Sequence, residues 1–110
     1  MGGSDKAGAR SPLRCLLLAY EYVPDIVERR APYREAHLAH VAAWHDRGEL
    51  AIAGAFGDPP AGALFAFDVE DRARVEEFVA ADPYVVVGLV TSHRIEPWAI
   101  VAHRPLDEGP

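Results

Sequence analysis

Apolar positions along the chain alternate between short runs with period two and longer stretches with helical spacing. Arg14 to Tyr22 is dense in Leu and Tyr and stops at Pro24-Asp25, which is the length and flank pattern of a buried strand. From Ile26 the pattern changes to charged residues and Ala. Pro32 fits the first turn of a helix that continues through Tyr33, His37, Val41 and Trp44 to Arg47, where Gly48 supplies a left-handed stop. At about 100° per residue, Tyr33, His37, Leu38, Val41 and Trp44 share one broad face, opposite Glu35, Ala39, Ala43 and Asp46. His37 therefore sits inside the apolar seam.

Leu50 to Phe56 alternates large residues with Ala, and Ala63 to Asp68 repeats the period; Gly57-Asp58-Pro59-Pro60-Ala61-Gly62 between them is a turn by composition. These two segments read as an antiparallel hairpin. Glu70-Asp71 opens a second helix through Val75, Phe78 and Val79, which must end before Pro83. Tyr84 to Val90 is short and apolar with Gly88 inside it, and Ser92 to Val101 reads as a last strand that Pro97 confines to an edge or a bulge. The order strand, helix, strand, strand, helix, strand gives an α+β, ferredoxin-like βαββαβ sandwich: a four-stranded antiparallel sheet with two helices on one face. Yet Leu16, Leu18 and Tyr20 alternate with Cys15, Leu17 and Ala19, and Trp98 and Ile100 alternate with Ala99 and Val101. Two strands are thus apolar on both sides, and the second face needs a cover, for which another copy of the chain is the simplest. A homodimer is expected.

The chain has 110 residues, which is room for one domain. The boundaries expected are a disordered leader at 1–13, the folded domain at 14–104 and a short tail at 105–110. With 17 acidic against 11 basic side chains, a formal charge of -6 and Lys6 as the single lysine, the chain offers no basic stripe for a phosphate backbone or an anionic lipid surface. Nucleic acid and membrane are not expected partners. No apolar run approaches the roughly 20 residues of a membrane helix, so the expected location is the cytoplasm. The lone Cys15 lies in an apolar run and reads as a small hydrophobe rather than a nucleophile. Gly-rich nucleotide loops and a Gly-x-Ser-x-Gly elbow are absent from the sequence, and no cofactor is implied.

Chemistry concentrates at two places. Asp82-Pro83-Tyr84 follows a helix directly, and its plainest reading is that the Asp82 carboxylate caps whatever short helix begins at Pro83. Arg34-Glu35-Ala36-His37-Leu38 places an imidazole on the buried side of the first helix, where a core histidine bonded to backbone is the ordinary outcome. In this layout both helices lie on one sheet face, so the end of the second can approach the first. A carboxylate beside His37 would fix its tautomer and favour the imidazolium, giving a general acid or base. His37 and His40 also have the spacing of two metal ligands on one helix, but the sequence places no third among His45, His93, His103 and the acids.

These residues also resemble the YciI-like (YCII-related) family of the dimeric α/β-barrel group. The resemblance spans about Leu16 to Val101 and rests on Arg34-x-x-His37-Leu38, Gly48-x-Leu50 followed by Gly54, Ala81-Asp82-Pro83-Tyr84-x-x-x-Gly88-Leu89, and Ile95-x-Pro97-Trp98. It implies a catalytic His37–Asp82 dyad in a pocket near a dimer interface. It further implies acid/base chemistry on a small molecule, lyase-type elimination on chlorinated hydroxylated aromatics among it, or an accessory domain without activity. Where the family usually has Gly-Pro after the second strand this chain has Gly54-Ala55, which bears on pocket shape. Arg34 can hold an anionic or phenolate oxygen, and Tyr20, Tyr22 and Tyr84 can line the pocket; packing or a solvated ion pair accounts for the same residues. The leading expectation is a cofactor-independent lyase or isomerase. The alternatives are a non-catalytic dimeric binding domain and a purely structural dimer.

Overall fold

The computed structural model describes residues 13–104. Its elements run β1 (Leu13–Tyr22), α1 (Ile26–Arg29), a single 3-10 turn (Ala31–Tyr33), α2 (Arg34–Asp46), β2 (Leu50–Phe56), β3 (Gly62–Phe67), α3 (Arg72–Ala81), α4 (Pro83–Val86) and β4 (Val90–Ile100). The sheet order is β2-β3-β1-β4, with each neighbouring pair antiparallel. This is the expected βαββαβ sandwich, and Pro97 lies on β4, an edge strand, where its missing N–H costs no internal ladder bond. Of the expected leader, only the backbone of Leu13 falls among the described residues; the tail at 105–110 lies outside them.

The first helical stretch differs from the sequence expectation. Instead of one helix entered at Pro32, the chain makes the one-turn α1, then the 3-10 turn holding Pro32, and only then α2. Proline disfavours helical backbone at the residue before it and brings no N–H of its own, so the segment breaks there into two axes. Its buried stripe is also narrower than the broad apolar face. His37 and Trp44 are buried, while Tyr33 and Leu38 stay exposed. The C-terminal end matches expectation, with Gly48 at φ +82.

The pleat sorts the strands by face. Leu18 of β1 pairs with Phe65 of β3 and Ile95 of β4, and all three are buried. With Tyr20 and Phe67 they meet Val75, Phe78 and Val79 of α3 and Trp44 of α2 in one core. Val23, Ile26, Tyr84 and Leu89 form a smaller cluster beyond the end of that core. The opposite pleat carries Cys15, Leu17, Ala19, Ile52, Phe56, Leu64 and Trp98. Among the described residues no helix covers it, and Ile52, Phe56, Leu64 and Trp98 remain 56%, 45%, 42% and 40% exposed. Soluble monomers rarely carry so continuous an apolar surface. Cys15 is half-buried there, and burial, helped by the nearby Asp68 charge, pushes its thiol up.

Gly62, where β3 leaves the hairpin, shows how tightly the sheet closes. A Cβ there would lie 2.2 Å from the Tyr20 carbonyl oxygen and 2.7 Å from the Phe56 ring. The carbonyl belongs to the central strand and cannot step aside. Gly62→Ala is therefore expected to lose about 1–3 kcal/mol of unfolding free energy, read as a lowered denaturant midpoint at unchanged slope.

Candidate active site

Asp82 stands at the joint between α3 and α4, in extended backbone at φ -71 and ψ 122. Pro83 in the first position of α4 fits this geometry, because the residue before a proline is pushed to extended conformations. The carboxylate is fully buried, yet its oxygens are met. Oδ1 accepts from the Tyr84 backbone N–H at 3.0 Å and from His37 Nδ1 at 2.8 Å, and Oδ2 accepts from the Tyr20 hydroxyl at 2.8 Å. The cap and the histidine partner, alternative readings of the sequence, are one and the same carboxylate.

With Asp82 accepting on both oxygens, Nδ1 of His37 supplies the hydrogen, and the neutral ring carries its lone pair on Nε2. Nε2 has no protein partner among the described residues. Tyr84 stacks on the same imidazole, with ring centroids 3.8 Å apart and planes 4° from parallel. The ring is thus held by an edge bond and a face contact, on a helix whose position the core sets. Such a ring can exchange a proton through Nε2 without turning.

His37 forms part of the wall of a cavity of about 240 Å³ between α2 and the sheet. The cavity exists because the helix-facing positions below α2 are small: Ala53 and Ala55 on β2 and Ala63 on β3. Arg30, Arg34, Tyr22 and Tyr84 complete the polar side. A larger cavity of about 580 Å³ at the far end of β1 and β4, beside Arg14, Cys15, Asp68 and Trp98, contains neither member of the pair.

Of the residues singled out from sequence, His37, Arg34 and Tyr84 line the cavity, and Asp82 lies directly behind His37. Tyr20 faces Asp82 and is absent from the cavity wall. Burial above all, then the charge and hydrogen bond of Asp82, push its phenol far above the ordinary value, so it is a fixed donor. Arg30 was not picked out by sequence. The signal available was its spacing, four residues before Arg34 and seven before His37, but Pro32 interrupts any single helix across that interval. His40 turns away, bonding through Nε2 to the Phe78 carbonyl oxygen at 2.9 Å. His40 is thus bonded to the α3 backbone, and no cluster of three His, Cys, Asp or Glu suited to a metal occurs among the described residues.

Tyr22, half-buried beside Tyr84, has its phenol pushed up to about 12; burial is the main cause, followed by the Tyr84 phenol and the Asp82 charge, while Arg30 and Arg34 pull it down. At neutral pH it is a hydrogen-bond donor. The Tyr84 hydroxyl is sealed in without a hydrogen-bond partner among the described residues.

A buried pair of this kind, walled into a cavity on the helical side of a ferredoxin-like sheet, defines a small α+β protein with a site able to bind a small molecule. The chain belongs to the YCII-related domain family, whose model matches residues 14–99. It is similar to the YciI proteins of Escherichia coli O6:H1 and Shigella flexneri, each 31% identical over an aligned stretch of 83 positions, with 67% of this chain and 85% of theirs covered. Among solved structures it is similar to the 5-chloro-2-hydroxyhydroquinone dehydrochlorinase of Burkholderia phenoliruptrix AC1100, in complex with 2,5-dihydroxybenzoquinone. The TM-score is 0.65, over 76% of this chain and 92% of that one. At 22% identity that likeness is one of fold.

Three outcomes follow from the geometry. Asp82→Ala leaves the Tyr20 hydroxyl, the Tyr84 amide and His37 Nδ1 without their acceptor, so chemical denaturation should show a loss above the about 0.5–2 kcal/mol of a helix cap alone. Tyr84→Phe removes an unpaired buried hydroxyl and keeps the stack, so stability should hold or rise by about 1 kcal/mol. The third concerns pH. The raised phenol of Tyr22 keeps its proton in the folded chain beyond the ordinary value of 10.0. Its contribution is therefore complete below pH 10 and declines as pH rises from about 10 toward about 12, at up to about 1.4 kcal/mol per unit. Tyr22→Phe should make that alkaline limb shallower, leaving the part that Tyr20 contributes.

Proposed function

We propose that this protein is a small-molecule acid/base enzyme of lyase or isomerase type, and that it works as a homodimer. The observation that carries the reading is the buried His37–Asp82 pair, with its second imidazole nitrogen left for a ligand in the adjoining cavity. In this mechanism Nε2 of His37 takes a proton from the substrate. In an elimination the electron pair of the broken bond forms the new π bond, and the leaving group departs with its own pair. Asp82 holds the ring in one orientation and balances the imidazolium formed; Arg34 steadies negative charge developing on a substrate oxygen. Tyr20 supports the pair from behind, as a positioning residue. Tyr84 serves as a stacking wall for the ring. The elimination of chloride named for the dehydrochlorinase is one chemistry of this type.

The dimer reading rests on the uncovered sheet face. A second copy laid on Ile52, Phe56, Leu64 and Trp98 would remove them from water and leave the cavity, on the helical side, open. We place the active unit at residues 14–104, without a required cofactor, and in the cytoplasm, where its single thiol would stay reduced.

The test is a turnover screen on single-ring hydroxylated and chlorinated compounds, read by substrate loss and chloride release. Activity should fall by at least about 100-fold in His37→Gln. Asp82→Asn, which keeps an acceptor for the Tyr84 amide but loses the charge, should fold and lose turnover to a similar degree. Turnover that survives both substitutions would overturn the mechanism. Saturable binding without turnover would favour a non-catalytic metabolite-binding domain. Sedimentation at micromolar concentration should report a dimer, and Leu64→Glu should shift it toward monomer.

A further inference from the structure

The cavity carries a charge imbalance that a His–Asp pair does not itself require. Arg29, Arg47, Arg72, Arg74 and Arg94 each lie within ion-pair distance of a carboxylate. Among the described residues Arg14, Arg30, Arg34 and Arg104 have no such partner, although the chain as a whole is acidic, and of these four only Arg30 and Arg34 line the cavity beside His37. No Asp or Glu shares that lining. The break at Pro32 sets the spacing: Arg30 caps the end of α1, and Arg34 begins α2 just past the 3-10 turn. Two like charges brought to one rim repel, and a folded chain ordinarily relieves this with a nearby carboxylate. Here relief is left to something outside the protein.

The remaining lining says what that something resembles. Tyr22 adds a phenol that stays protonated at neutral pH, hence a third donor at the same end. The opposite side is Ala53, Gly54, Ala55 and Ala63, small and without charge. A volume of about 240 Å³, below the about 300–1,000 Å³ typical of drug-sized ligands, suits a single ring or a short-chain acid. We propose that the site selects a small organic anion, whose carboxylate or phenolate oxygen docks on Arg30 and Arg34 while its reacting carbon or proton faces His37, and that Arg30 is a specificity-determining residue. The assignment builds on the acid/base reading of His37 and deepens it: a substrate anchored by one anionic oxygen presents its neighbouring atoms to Nε2, and charge spreading onto that oxygen is met by guanidinium donors already in place.

The experiment compares charged and neutral ligands of one shape. Benzoate and 4-nitrophenolate are titrated against benzamide by calorimetry, with the His37 ring signals followed by NMR. The full-length protein should bind at least one anion about tenfold or more tightly than benzamide, with the His37 signals moving as it binds. Arg30→Gln should abolish most of that preference and leave benzamide unaffected; Arg29→Gln, one position away and facing Asp25, should leave the preference intact. Equal binding of benzamide and the anions, failure of both anions to bind, or an Arg30→Gln protein that retains the preference would overturn the proposal. Circular dichroism of each variant separates lost binding from lost fold. His37→Gln keeps the two readings apart: anion preference retained there shows the docking site standing without the acid/base group. Turnover that survived His37→Gln would sink the mechanism and leave the Arg30 result untouched.

Discussion

A carboxylate with no exposed surface is the constraint around which this small fold is arranged. Burying the Asp82 charge without partners would cost several kcal/mol, more than most single contacts can return. The chain meets it with donors from three separate elements: the Tyr20 hydroxyl from the central strand, the His37 ring from α2 and the Tyr84 amide from α4. Asp82 itself closes α3 and opens α4. One side chain thus ties the sheet to every helix packed on it beyond the first turn. Displacing any of these elements would strand a polar group in an apolar interior, so the same bonds that satisfy the charge also fix where the imidazole stands. Here the placing of the imidazole and the stability of the fold are a single requirement.

Much of this was legible because each feature has a local cause. Period-two runs gave the strands; Gly48 gave the end of α2; and Asp82 before Pro83 gave an extended residue with a capping side chain. The approach of Asp82 to His37 is not local. It followed only from both helices lying on one sheet face, and the family pattern shared through Arg34-x-x-His37 and Asp82-Pro83-Tyr84 pointed the same way. What stayed hidden depended on distances across the fold. Tyr20 alternates correctly toward the helices, but whether its hydroxyl meets a ligand or Asp82 depends on how deep α4 sits. His40 has the spacing of a second ligand beside His37, yet the offset of about 60° between them around α2 goes with a bond to the Phe78 carbonyl instead. Arg30 is obscured because the helix read from the sequence starts at Pro32, two residues beyond it. The actual break brings Arg30 to the rim of the same cavity as Arg34.

The sheet divides its duties between its two faces. Aromatic side chains fill the helical side around Phe65, Phe67 and Phe78, except where three alanines leave the gap that becomes the cavity. The other side keeps Ile52, Leu64 and Trp98 in a continuous apolar surface. Substituting an alanine below α2 would change what the cavity holds with little effect on the far face. A change at Leu64 would do the reverse. Such separation leaves the cavity free to change without disturbing the packing of the far face.

The electrostatics of the cavity follow from the same economy. His37 has its counter-charge behind it, in Asp82, where the ligand cannot reach; the charges facing the ligand are then free to be of one sign. Had the carboxylate lain on the cavity wall, it would have paired with Arg30 or Arg34 and neutralised the rim. Buried behind the ring and spoken for by Tyr20 and Tyr84, it leaves both guanidiniums to the cavity in a protein whose net charge is -6. A positive recess on an acidic molecule focuses the field locally, so the potential there is opposite in sign to that of the bulk of the surface. The depth at which Asp82 is buried therefore decides two things together: that the His37 ring is held through Nδ1 with Nε2 turned away from the carboxylate, and that the cavity lining keeps two guanidiniums and no carboxylate.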